Sequence, residues 1–69
     1  MEAAKYFYTN YGRKSPDLAI KALEVYVQLA IEMNDSREEA GGLVNLGSVY
    51  RDLGKYEDAQ AHYENALVL

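Results

Sequence analysis

Apolar side chains recur at intervals of three and four along most of the chain. Leu18, Ala19, Ala22, Leu23, Tyr26, Leu29, Ala30 and Met33 form one such stripe, enough for a helix of about five turns. Ser15-Pro16-Asp17 ahead of it reads as a helix start. The hydroxyl caps, the proline suits the first turn, and the carboxylate faces the positive end of the helix dipole. Asn34-Asp35 interrupts the stripe. Ser36-Arg37-Glu38-Glu39 then predicts a capping box, with Ser36 as the cap and Glu39 reaching back. The helix it opens carries Ala40, Leu43, Leu46, Gly47, Tyr50 and Leu53, and Gly54 suits the left-handed residue that closes a helix. A last helix begins near Tyr56, sets Glu57 and Asp58 in its first turn, and presents Tyr56, Ala59, Tyr63, Ala66 and Leu67 as its stripe.

The segment from Glu2 to Tyr11 carries opposing signals. Ala3, Ala4 and Lys5 favour helix, whereas Tyr6-Phe7-Tyr8-Thr9 taken alone favours strand. Gly12, just past Tyr11, suits a helix stop and turns the reading to helix. Tyr6, Phe7, Tyr8 and Tyr11 cover more than one face of so short a helix, so part of the cluster is exposed or meets a neighbour. Short connections make successive helices antiparallel. The expected fold is therefore all-α: four helices in two stacked hairpins, over about residues 2–33 and 37–69, in a single domain. The hairpins lie over each other in sequence. Tyr8-Thr9-Asn10-Tyr11-Gly12 aligns with Tyr50-Arg51-Asp52-Leu53-Gly54, and Pro16-Asp17-Leu18-Ala19 with Tyr56-Glu57-Asp58-Ala59. The offset is 42 residues from Tyr8 to Tyr50 and 40 from Pro16 to Tyr56, a period that marks a solenoid.

The stretch Leu43-Val44-Asn45-Leu46-Gly47-Ser48-Val49-Tyr50, then Leu53-Gly54-Lys55-Tyr56, Ala59, Tyr63 and Ala66-Leu67, resembles one tetratricopeptide repeat. The resemblance spans roughly residues 40–69. That family's pattern is a bulky residue, Leu-Gly, an aromatic, a turn glycine, then alanine, aromatic, alanine. Leu43 stands where the bulky residue is usually tryptophan. In the first hairpin Lys5 departs from the pattern, replacing the small residue of the Leu-Gly pair. A period near 40 with Asn-Asp between hairpins is similar to the longer repeats of kinesin light chains and spindle-orientation adaptors. The physics agrees: Gly47, Ala59 and Ala66 are small where helices must come close, and Tyr50, Tyr56 and Tyr63 bring large faces for packing.

The resemblance implies a protein–protein interaction module, a scaffold or adaptor holding a peptide or partner protein in a concave groove. It implies that the first helix of each pair lines this groove. Asn45, beside the Leu-Gly pair, would then hold the peptide backbone, since its amide both donates and accepts. Ser48, Arg51 and Asp52 follow as further groove residues. The alternative is structural, a homo-oligomerising helical repeat unit.

Composition narrows this further. At 69 residues the chain is one small domain, of a size that buries only about 60% of its unfolded surface. Without cysteine, disulfides and thiolate zinc sites are excluded. His62, the only histidine, is expected as a solvated side chain on the last helix, so neither a metal nor a cofactor is expected. Association is left as the stabilising device. Seven basic residues stand against eleven acidic ones, and Lys5, Arg13 and Lys14 concentrate positive charge in the first fourteen. Such a chain lacks the basic stripe of a nucleic-acid binder. No apolar run approaches the ~20 residues of a membrane span. Met1-Glu2-Ala3-Ala4 is not the start of a signal peptide, which with the lack of cysteine points to the cytoplasm.

Enzymatic chemistry has no constellation to stand on. Glu38-Glu39 and Glu57-Asp58 sit at helix starts, where the dipole favours negative charge. Gly41-Gly42 is followed by no Lys-Ser/Thr and makes no phosphate loop. Finally, the 40-residue offset places the end of the last helix near residue 73, beyond Leu69, as in a piece of a longer array. The apolar Leu67, Val68 and Leu69 would be covered there by a following repeat. Here they are expected to join two copies of the chain.

Overall fold

The computed structural model describes residues 16–69. Three helices account for them: α1, Pro16–Glu32; α2, Ser36–Asp52; and α3, Tyr56–Leu67. No strand occurs among the described residues. The expected first helix, its aromatic cluster, Gly12 and the Ser15 cap lie outside them, so the described fold has three helices rather than four.

The helices begin twenty residues apart, at Pro16, Ser36 and Tyr56, because the two connections are the same turn. Asn34, at φ 56°, and Gly54, at φ 79°, are the left-handed residues. Asn34 N–H donates to the Ile31 carbonyl at 3.0 Å, and Asp35 N–H to the Ala30 carbonyl at 2.9 Å. One turn later in the fold, Gly54 N–H reaches the Arg51 carbonyl and Lys55 N–H the Tyr50 carbonyl, both at 2.9 Å. This double bond pattern satisfies carbonyls that a helix end leaves without partners. Gly54 meets the expectation. Asparagine enters the left-handed region more readily than most side chains, so Asn34 performs the same task.

The capping box requires correction. Asp35, not Ser36, caps α2: its carboxylate accepts the Glu38 N–H at 3.2 Å, and Ser36 is already helical. The bond from Asp35 N–H back to α1 holds Asp35 at φ −104°, ψ 88°, which places the start of the helix one residue earlier than expected. Lys55 occupies the same place before α3 but makes no side-chain cap bond. Glu57 and Asp58 remain to meet the dipole of that helix.

Each outer helix packs on α2 and not on the other. Ala19, Leu23 and Val27 of α1 close on Leu46 and Val49 of α2, with Ile20, Tyr26, Leu43 and Tyr50 around them. Val27 and Val49 belong to this core although the expected stripes omit them. Conversely Leu18, Leu29, Met33, Leu53, Tyr56 and Leu67 are exposed. Three-and-four spacing alone does not choose the buried line; contact with α2 does. Glycine sets the distances between helices. A Cβ on Gly47 would lie 2.6 Å from the Tyr63 ring, and one on Gly42 would lie 2.6 Å from Cγ2 of Val27. Thus α2 turns one close-packing glycine toward each neighbour.

Candidate partner-binding face

Asn45, Ser48 and Asp52 follow one another at intervals of three and four on α2, so they share a face. Arg51 adjoins it, with Nε 3.7 Å from a carboxylate oxygen of Asp52. Both of these side chains are exposed, where such a pair contributes little to stability. Asn45 is half-buried, and its Nδ2 donates to the Gly41 carbonyl one turn earlier at 2.9 Å. This bond fixes the orientation of the amide.

Ser48 has a role the sequence did not suggest. Its hydroxyl lies 3.2 Å from the Val44 carbonyl and 3.2 Å from the Tyr63 hydroxyl. The carbonyl can only accept, so Ser48 donates there and receives the proton of Tyr63. Ser48 therefore ties α2 to α3 and holds the Tyr63 ring over Gly47. A half-buried tyrosine needs a partner for its hydroxyl, and that need was the available signal.

His62 is also corrected. It is half-buried, stacked on Tyr50 with ring centroids 5.0 Å apart and planes inclined by 20°. Its Nδ1 lies 2.8 Å from the Asp58 carbonyl, so Nδ1 carries the hydrogen. Beneath it, burial pushes the Tyr50 phenol above the usual tyrosine value, and the carboxylates of Glu24 and Asp58 add to the shift. The histidine is thus part of the packing between α2 and α3. Among the described residues no group of three His, Cys, Asp or Glu side chains could hold a metal ion, and no described helix is long and apolar enough to cross a membrane.

Leu67, Val68 and Leu69 are exposed together where α3 ends. The groove wall expected from the first helix lies outside the described residues.

The packing pairs Gly47 with Tyr63 and closes α2 at Gly54. Leu46, Tyr50 and Ala59 accompany them, each at its expected spacing. The family model described as tetratricopeptide repeat matches residues 40–69. This segment is a tetratricopeptide repeat. The repeat is a general protein-interaction module, and it takes in most of α2 and all of α3, while α1 precedes it. Inside the repeat, the Leu-Gly pair performs two tasks: Leu46 enters the core with α1, and Gly47 admits the Tyr63 ring. No curated protein and no solved structure matches the chain.

Proposed function

We propose that the chain serves as the partner-binding part of a scaffold or adaptor, holding an extended peptide along the polar face of α2. The observation that carries this reading is the anchored amide of Asn45 within a tetratricopeptide repeat. An amide whose rotamer is fixed by Gly41 loses less entropy on meeting a peptide backbone than a mobile one. Ser48 stands one turn further along, and Arg51 and Asp52 offer charges of both signs at the edge. A peptide array of varied extended sequences, probed with the intact chain, identifies a ligand for the test. Asn45→Ala then weakens binding by roughly 1–3 kcal/mol. Failure of every peptide to bind, or equal affinity in the variant, removes the reading. A second reading, self-association through Leu67, Val68 and Leu69, is supported by their joint exposure. Sedimentation of a Leu67→Lys/Leu69→Lys variant beside the natural chain tests it.

A further inference from the structure

Beside its contact with α2, α1 carries a second apolar line. Leu18, Val25, Leu29 and Met33 are 49, 60, 52 and 75% exposed. With half-buried Ala22 they follow each other at intervals of four, three, four and four, a continuous stripe on one side of the helix. One end of the stripe is hollow. Tyr26, Leu29, Ala30 and Met33, with Asp35 and Glu38 at the α2 side, line a cavity of about 280 Å³. That is below the ~300–1,000 Å³ of small-molecule sites and suits one large side chain. Leu18 stands exposed at the opposite end of the stripe.

We propose that α1 pairs antiparallel with α1 of a second copy, about a two-fold axis beside Val25 and Tyr26. Each Leu18 then enters the cavity formed by Leu29 and Met33 of the other copy. A two-fold contact sets each residue of the stripe against a different residue of the other copy, and the reverse. In this register Leu18 meets Met33, and small Ala22 meets large Leu29. Charge selects the same orientation. Lys21 and Glu32 are exposed along one edge of the stripe. An antiparallel pair brings each Lys21 within a turn of Glu32 of the other copy, twice per dimer. A parallel pair would put the two copies of this edge on opposite sides of the seam, and neither Lys21–Glu32 pair would form. The contact runs ~25 Å along a 17-residue helix, so the dimer belongs with the small, weak interfaces under ~1,200 Å².

The proposal is independent of the peptide reading and of Leu67–Leu69, and sedimentation equilibrium of the intact chain from roughly 10 µM to 1 mM tests it. Val25→Lys weakens the dimer about tenfold or more, with helicity by circular dichroism unchanged because the site is exposed. Lys21→Glu weakens it several-fold, and adding Glu32→Lys restores it, since the pair is merely reversed. Leu67→Lys/Leu69→Lys leaves the dissociation constant unchanged. A chain monomeric over the whole range overturns the proposal. So does a dimer indifferent to Val25→Lys, one that the double charge exchange does not rescue, or one that the Leu67/Leu69 substitutions abolish.

Discussion

Gly47→Ala tests the packing of the repeat at its tightest point. The added Cβ would lie 2.6, 2.8 and 3.0 Å from Cε1, Cδ1 and Cζ of Tyr63, against ~3.5–4.0 Å for an unstrained carbon contact. The ring does not swing aside without cost, because its hydroxyl is bonded to Ser48, which is itself bonded to Val44. Overpacking of this kind costs ~1–3 kcal/mol. Alanine in a helix interior returns ~0.5–1 kcal/mol relative to glycine. The net loss is therefore ~0–2.5 kcal/mol, which at ~4–8 °C per kcal/mol for a domain of this size lowers the melting temperature by up to ~20 °C. Thermal and urea unfolding followed by far-ultraviolet circular dichroism measure it. The decisive comparison is a double-mutant cycle with Tyr63→Val, which has no atoms beyond the γ carbons. In that background the clash is gone, and Gly47→Ala stabilises by ~0.5–1 kcal/mol. Equal destabilisation in both backgrounds would show that the ring is not what excludes a side chain at 47.

Two further outcomes follow from the helix ends and from the half-buried Tyr50 phenol. Asp35→Ala removes the cap of α2 and costs ~1 kcal/mol, whereas Asp35→Asn retains it; identical unfolding midpoints for the two variants would contradict the cap assignment. Because folding raises the Tyr50 phenol, the folded chain holds that proton more tightly than the unfolded one. The stability so gained is complete below the usual tyrosine value and is lost as pH rises through the raised one. Tyr50→Phe should flatten the alkaline fall in stability, read from urea midpoints between about pH 9 and pH 11, and an unaltered slope would refute this assignment.

Most of the helical framework was legible because its punctuation is strong. Pro16, the Asn34-Asp35 break, Gly54 and the acidic first turns set the starts of three helices within a residue of their places, whereas α3 ends at Leu67, short of its expected end near residue 73. The cap of α2 was misplaced because Asp35 and Ser36 are both good caps. Only the bond from Asp35 N–H to α1, a contact between two helices, decides between them. Burial was read less well. Tyr56 sits in the expected stripe yet is 69% exposed. Val27 and Val49 went unnoticed because three-and-four spacing admits more than one line of apolar residues on α1 and on α2. At the candidate face Asn45 was legible from the repeat pattern. The Ser48–Tyr63 bond and the His62–Tyr50 stack were not, because each joins residues brought together only by the close approach at Gly47.

The connection between α1 and α2 leaves no slack. Asp35 donates its N–H to Ala30, receives Glu38 on its carboxylate, and receives the Glu39 N–H on its own carbonyl at 3.0 Å. A single residue thus belongs to the last turn of one helix and the first turn of the next. Fraying, which ordinarily begins at each helix end separately, must here release both ends together. Lys55 repeats the backbone bonds, to Tyr50 behind it and from Ala59 ahead of it, but brings no side chain to the task. The chain is therefore stitched firmly at 33–35 and loosely at 53–55. The two turns thus share their backbone bonds and differ in one side chain, a carboxylate that caps α2 at the first and an ammonium that leaves α3 without a side-chain cap at its twin.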